Sequence, residues 1–180
     1  MVVWGKRQTP SETHAFSLLH TAYCLPLIPF LVVLAIWGCG SGNEYVDQLH
    51  SGSPEQRVQA ASFLGAQRVS EAIPHLRMAL RDTLPEVRSN VIWALGMLRS
   101  KEAMPELLPM LRNSNRNIRQ ATARALMQIE EPEAIAALES ARKVEQDTWV
   151  QADMDRTIEH LRQFEGETNV QEFRVRGEIF

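Results

Sequence analysis

The chain has 180 residues, of which 44% are hydrophobic and 23% charged, and its formal net charge is -3 at pH 7. This length and apolar content suffice for one domain with a core, and they exclude a collagen-like chain, a disulfide-stapled scaffold and general disorder. The charge is unevenly distributed, because residues 54–129 carry 11 Lys and Arg against 6 Asp and Glu, whereas residues 130–180 carry 6 against 13.

Residues 1–38 are predicted to be a leader segment. Their only charged residues are Lys6, Arg7 and Glu12. An apolar run covers 24–38, and Cys39 and further small residues follow it. A basic start, an apolar stretch and small residues after it are typical of a secretory signal. The sequence Ile-Trp-Gly-Cys at 36–39 resembles a bacterial lipobox, and this resemblance implies that Cys39 is lipidated.

The same segment has an alternative interpretation as an uncleaved transmembrane anchor. Residues 16–38 number 23, and about 20 apolar residues cross a bilayer. The continuous apolar part is only 25–37, which favours the lipidated signal. Both interpretations predict an exported protein that is attached to a membrane. Residues 39–52 are then expected to form a linker and a half helix, the latter at 44–51.

A repeat with a period of 31 residues follows the linker. The sequence PEQRVQAASFLG at 54–65 aligns with PEVRSNVIWALG at 85–96 and, more loosely, with RNIRQATARALM at 116–127. At the same offset, EAIPHL at 71–76 aligns with EAMPEL at 102–107 and EAIAAL at 133–138. Three copies at one period predict stacked units, none of which can bury its apolar face alone.

Each copy is predicted to form two short helices. Ser53 can cap the first helix of copy one, Pro54 suits its opening position, and Gly65 can end it. Apolar residues recur at helical spacing in the first helix of copy two (Val87, Val91, Ala94, Leu95, Leu98) and in the second helix of copy one (Ile73, Leu76, Ala79, Leu80).

The predicted fold class is therefore all-α, a short α-solenoid of about three helix pairs plus a terminal helix. The repeat domain covers 53–164, with the terminal helix at about 148–164. Residues 165–180 are expected to be an acidic tail that is either flexible or a short strand, because Phe173, Val175 and Ile179 follow a period of two.

The sequences Pro-Glu-Val-Arg, Ala-Leu-Gly and Glu-Ala-Met-Pro-Glu-Leu between 85 and 107 resemble HEAT-like repeats of the phycobilisome-lyase type. The resemblance covers about 54–145 and implies the same stacked-helix architecture. It leaves two functions open, because some members of that family attach bilins to phycobiliproteins while many others are scaffolds.

Arg57, Arg88 and Arg119 recur at the repeat period. They could form an anion-binding ladder, but a residue repeated in a solenoid usually serves the interface between neighbouring repeats. We therefore predict that each pairs with an acceptor in the preceding inter-repeat turn, such as Asp82 or Asn113.

A partner-binding surface is predicted on the second helices, opposite their apolar stripe. Its residues are His75, Met78 and Arg81 in copy one, Glu106, Pro109 and Arg112 in copy two, and Ala137, Ser140 and Lys143 in copy three. One row is basic in all three copies: Arg81, Arg112 and Lys143. The alternative is that each cation only complements the carbonyl end of its own helix, which is worth about 0.3–1 kcal/mol.

No catalytic or metal-binding pattern is found in the sequence. The chain after Cys39 has no cysteine, the five histidines lack metal-ligand spacing, and no phosphate loop or nucleophile motif occurs. We predict a non-enzymatic scaffold, without cofactor or metal, that binds another protein. The alternative is an assembly factor or bilin-lyase-like protein of the same repeat family. A nucleic-acid partner is not expected, because an exported body would not meet the genome.

Overall fold

The computed structural model describes the backbone of residues 42–176 and the side chains of residues 42–166. The predicted leader, the lipidation site Cys39 and residues 177–180 lie outside the described residues. Between 42 and 176 no helix is long and apolar enough to cross a membrane.

Eight α-helices, joined by short turns, make up the described part of the chain. They are α1 (Gly42–Ser51), α2 (Pro54–Ala66), α3 (Ile73–Ala79), α4 (Pro85–Met97), α5 (Met104–Leu107), α6 (Arg116–Ile129), α7 (Ala134–Arg142) and α8 (Thr148–Arg176). The 3₁₀ segment Ser70–Ala72 precedes α3, while Lys101–Ala103 and Leu108–Arg112 flank α5. Three helix pairs, α2/α3, α4/α5 and α6/α7, stack between α1 and α8, and the described range contains no strand. The predicted all-α solenoid is confirmed.

The start of the first repeat follows from local sequence. The Ser53 hydroxyl accepts a hydrogen bond from the backbone N–H of Gln56, and the Ser53 backbone N–H donates to Gln56 Oε1 at 2.8 Å. This reciprocal capping box satisfies two helix-end donors, and Pro54 at the first helical position lacks the donor that would otherwise be unpaired.

Gly65 does not end α2, which corrects the sequence prediction. The helix continues to Ala66, and the left-handed residue after it is Arg68, with φ 54°. Gly65 is instead a point of close contact, because a Cβ there would lie 2.7 Å from the Cα of Ala94 in α4. Gly96 has the same role one repeat later, because a Cβ there would lie 2.8 Å from the Cα of Ala125 in α6. These two glycines let successive first helices approach closely.

One continuous core runs from Leu49 in α1 to Leu161 in α8. Val87, Val91, Ala94 and Leu95 of the predicted stripe are fully buried, and Leu98 is half-buried. Leu95 is 0% exposed and lies in the central repeat, so both neighbouring repeats cover it. The core is therefore shared among the repeats, as expected for units that stabilise one another only by stacking.

The prediction for the C-terminal tail is wrong for residues 165–176, which are helical as the continuation of α8. The first part of α8 is held by packing, with Val150, Met154 and Leu161 fully buried. A helix that is already nucleated gains one hydrogen bond for each residue it adds, and Glu, Gln and Arg are good helix formers. The single Gly166 costs only about 1 kcal/mol in this context.

Candidate functional site: partner-binding surfaces

Arg57 ties the first repeat to the turn that follows it. Its Nε and Nη2 donate to the carboxylate of Asp82, at 2.7 and 3.3 Å, and its Nη1 donates to the carbonyl of Gly52 at 2.9 Å. Asp82 lies between the first and second repeats, and its own carbonyl accepts from Arg88 Nη1 at 2.7 Å. A single turn is thus bound by arginines from two successive repeats.

Arg119 has the same arrangement in the third repeat, with a more deeply buried partner. Its Nε and Nη2 donate to the carboxylate of Glu145 at 2.6 and 2.8 Å, and its Nη1 donates to the carbonyls of Asn113 and Ser114. The side chain of Glu145 is only 3% exposed. The hydrogen bond from Arg119 lowers the pKa of Glu145, and although burial opposes this, the backbone N–H of Asp147 adds to it.

Arg88 has no carboxylate partner among residues 42–164, because Asn113 stands where the first repeat has Asp82. Its guanidinium donates to the carbonyls of Asp82 and Thr83. Each arginine of the ladder donates to carbonyls of the turn before its own helix, whereas the carboxylates of Asp82 and Glu145 lie in the turn after the repeat whose arginine they bind. The sequence prediction placed the acceptors in the preceding turn and missed Glu145. The first helices begin at 54, 85, 116 and 148, so the last interval is 32 residues instead of 31. The last turn is therefore one residue longer, and Glu145 lies one position beyond the place that the 31-residue period predicts for an acid.

The predicted partner-binding residues separate into two groups in the structure. The exposed residues, on the second helices or just after them, are Met78, Arg81, Pro109, Arg112, Ser140 and Lys143, whereas Ala137 is half-buried. His75 and Glu106 are half-buried and hold neighbouring helices together. His75 Nδ1 lies 3.0 Å from Nε2 of His50 in α1, and Glu106 Oε1 accepts from Arg77 Nη2 at 2.5 Å.

We call Arg81, Arg112 and Lys143 the basic row. Fifteen Lys and Arg side chains are described, and ten of them form ion pairs with a carboxylate (Arg57, Arg77, Arg99, Lys101, Arg116, Arg119, Arg124, Arg142, Arg156, Arg162). The other five cations are Arg68, Arg88 and the three of the basic row. None of them has a carboxylate of residues 42–164 within ion-pair distance. Within the row, Arg112 donates to Ser140 Oγ at 2.6 Å.

Helix-end electrostatics also applies to the basic row. Arg81 follows the C-cap residue of α3, Arg112 ends the 3₁₀ segment Leu108–Arg112, and Lys143 is the C-cap of α7. Each cation is therefore near free carbonyl groups that favour positive charge. This effect accounts for the placement of each residue taken alone. All three side chains are nevertheless exposed along one side of the second-helix layer, where a partner could contact them together.

A second surface feature lies in the other layer, formed by the first helices α2, α4 and α6. We call it the Trp93 groove, a depression of about 410 Å³ between α4, α6 and the start of α8. Its lining residues are Trp93, Met97, Ala121, Arg124, Ala125, Met127, Gln128 and Arg156. Trp93 is 42% exposed, so a large part of its apolar side chain remains accessible to solvent.

Asp153 holds the two arginines that flank the Trp93 groove. Its carboxylate accepts from Arg124 Nε at 2.9 Å, from Arg156 Nη1 at 2.8 Å and from Gln120 Nε2 at 2.7 Å. Burial raises the pKa of Asp153, but the hydrogen bonds from Gln120 and Arg124 and the charge of both arginines outweigh it and leave that pKa below its ordinary value. Asp153 therefore stays ionised at neutral pH.

The described residues contain no group of three or more His, Cys, Asp or Glu side chains that could hold a metal ion. The arrangement of charged groups here consists of ion pairs between repeats, and no nucleophile with a neighbouring base is positioned at the surfaces described above. What the geometry offers is two contact surfaces, one in each helix layer.

Residues 43–105 and 79–158 match the family model of HEAT repeats. A similar solved structure is the complex of CpcE and CpcF of phycocyanin lyase from Nostoc sp. PCC7120, with a TM-score of 0.54 and 22% identity over 68% of this chain and 65% of that chain. An engineered protein of known crystal structure matches with a TM-score of 0.54 and 22% identity, over 74% of this chain and 67% of its own. No curated protein matches the sequence. This chain thus spans just under two thirds of the matched Nostoc chain, and at this identity the likeness concerns the fold alone.

Proposed function

Because the chain belongs to the HEAT-repeat family, we propose that it is a scaffold that binds another protein through its second-helix layer and is held at a membrane by its N-terminal segment. The observation that supports the binding surface is the basic row. No carboxylate of residues 42–164 lies within ion-pair distance of Arg81, Arg112 or Lys143, whereas ten other described cations have such a partner. Stacked repeats commonly expose such surfaces as extended binding sites.

The charge and the spacing of the basic row indicate which partner surface it can bind. Packed helices stand about 8–10 Å apart, so successive cations of the row are separated by roughly that distance. A partner helix rises about 1.5 Å per residue, so carboxylates seven residues apart would meet successive cations. The proposed partner therefore presents an acidic strip, and the row attracts it over a range set by the ionic strength.

Replacing the whole row, Arg81→Gln, Arg112→Gln and Lys143→Gln together, is expected to weaken partner binding about tenfold, as three exposed charge pairs lost together would. The midpoint of thermal unfolding should barely move, because none of the three side chains is buried. Binding is measured by surface plasmon resonance on a partner captured by cross-linking to the wild-type protein, at low and at high salt.

The matched control for the row is Arg68→Gln, Arg99→Gln and Lys101→Gln. It removes the same charge from the turns that lead from first to second helices, at the opposite edge of the solenoid. This control should bind the partner as the wild type does. Equal affinity of the row variant and the wild type, together with a lowered melting temperature, would assign the row to helix-end electrostatics alone.

The membrane tether is tested at the two cysteines of the chain. Cys39→Ser should abolish incorporation of labelled fatty acid, whereas Cys24→Ser, the matched control within the leader, should keep it. Label that persists in the Cys39 variant would contradict lipidation at this residue. A wild-type protein without label that still resists salt extraction from membranes would support the alternative, an anchor that ends near Gly38.

A second candidate function is that of an assembly factor or lyase-like protein, because this chain shares its fold with a chain of the CpcE–CpcF lyase complex. Such a protein would bind a bilin, and binding would change the visible absorption spectrum of the pigment. The scaffold proposal, which assigns no catalytic residue and no cofactor, predicts an unchanged spectrum when the purified protein is mixed with bilin.

A further inference from the structure

We propose that the Trp93 groove is a second docking surface and that its ligand is an acidic amphipathic helix of a partner protein. This groove belongs to the first-helix layer, whereas the basic row belongs to the second-helix layer. The inference therefore goes beyond the proposed function and does not depend on it.

The close contact between first helices changes in the third repeat. Gly65 meets Ala94 and Gly96 meets Ala125, each at a separation that leaves no room for a side chain. The next residue at the repeat period is Met127, whose long side chain replaces the glycine and lines the groove. Because the last turn is one residue longer, Thr157 is the residue of α8 that corresponds to Ala125, and it is buried. Its neighbour Arg156 is exposed and lines the groove.

Apolar atoms form most of the lining of the groove. Met97, Ala121 and Met127 lie beside Trp93, whose side chain remains 42% exposed. Tryptophan, methionine and arginine are the residue types most enriched at the centres of protein interfaces, since they bury large areas on binding. Methionine also adapts its shape to different partner side chains. The groove thus has the composition of a binding site for apolar anchors.

The charge of the lining selects an acidic ligand. Arg124 and Arg156 share one carboxylate, that of Asp153, so the three groups together carry a net positive charge. Their side chains are 60% and 65% exposed, which leaves donors free on the groove side, and no acidic residue is among the lining residues. Carboxylates that flank the apolar anchors of a ligand would meet these guanidinium groups.

The dimensions fit about two turns of a helix. The α6 residues that line the groove run from Ala121 to Gln128, which is about 10 Å at 1.5 Å per residue. A helix laid in this groove would contact it through residues at i, i+3, i+4 and i+7.

The test uses the full chain in nanodiscs of zwitterionic phospholipid. The probe is a fluorescent synthetic helical peptide that has Leu and Phe at positions i, i+3, i+4 and i+7 and Glu at the positions flanking this apolar face. Fluorescence anisotropy should show saturable binding by the wild-type protein. Trp93→Ala and the double variant Arg124→Gln, Arg156→Gln should each weaken it about tenfold or more. Ala121→Glu, which keeps Trp93 and both arginines but places a carboxylate in the groove, should weaken it similarly. A peptide with Lys in place of Glu should not bind.

Matched controls separate the groove from general effects of the substitutions. Trp149→Ala removes a tryptophan that is 71% exposed elsewhere, and Arg99→Gln with Arg162→Gln removes two exposed, ion-paired arginines. Both controls, and the basic-row triple variant, should bind the peptide like the wild type. The proposal is overturned if the wild type does not bind, if the groove variants bind equally well, or if the row variant loses binding. Self-association abolished by Trp93→Ala would overturn it in favour of a second copy of this chain.

Discussion

Replacing Arg119 by Met is expected to lower the free energy of unfolding by about 3 kcal/mol. The substitution removes the partner of Glu145, whose side chain is 3% exposed, and leaves an uncompensated buried carboxylate. Breaking a buried ion pair from one side typically costs about 3–5 kcal/mol. The lower end applies because Arg119 itself is 17% exposed and its partner keeps two backbone N–H donors. Urea unfolding followed by circular dichroism measures the loss.

The equivalent substitution one repeat earlier, Arg88→Met, is the matched control. Arg88 donates to two turn carbonyls and, in the described part of the chain, pairs with no carboxylate, so its loss should cost about 1 kcal/mol. A second comparison adds Glu145→Gln to the Arg119 variant, which removes the buried charge and should recover part of the loss. Equal costs for the two arginine substitutions would contradict the role assigned to Glu145.

The cost of Arg119→Met should also depend on pH. The pKa of Glu145 is lowered in the folded protein, mainly by the hydrogen bond from Arg119. A carboxylate with a lowered pKa stabilises the fold above its unfolded-state pKa, and this contribution is lost as pH falls through the folded-state pKa. The difference in the free energy of unfolding between wild type and variant should therefore be largest at neutral pH and should decrease in acid. A difference that is constant from pH 7 into the acid range would contradict this assignment.

Leu95→Ala is expected to cost about 2–5 kcal/mol, because it leaves a cavity in the centre of the core. Leu95 is 0% exposed, and both neighbouring repeats cover it. With three helix pairs sharing one core, the loss should lower the stability of the whole repeat domain together, so unfolding should stay a single transition at a lower temperature. Circular dichroism melting curves measure this.

The matched control for this cavity is Leu84→Ala, the same chemical change at a residue that is 37% exposed before α4. It should cost less than about 1 kcal/mol, because solvent fills the space that the side chain leaves. An unchanged melting curve for Leu95→Ala would show that the assigned core stripe is wrong.

The features that can be predicted from the sequence are those that depend on local chemistry repeated at a fixed period. The period of 31 residues, the Ser53–Pro54 helix start and the buried stripe around Leu95 all follow from periodicity and capping, and each is present in the structure. These features can be predicted because helical spacing alone determines which side chains share a face. The apolar content then requires that those faces be stacked.

Other features could not be predicted from the sequence, because they depend on which residues meet across repeats. Gly65 pairs with Ala94, Arg119 with Glu145, and His75 with His50, and no local pattern marks any of these partners. One extra residue in the last turn moved the acid out of register, and packing of the first part of α8 carried the helix on to Arg176. The Trp93 groove arises in the same way, since a surface opening is set by the distance between helices, and sequence periodicity gives only the direction in which each side chain points.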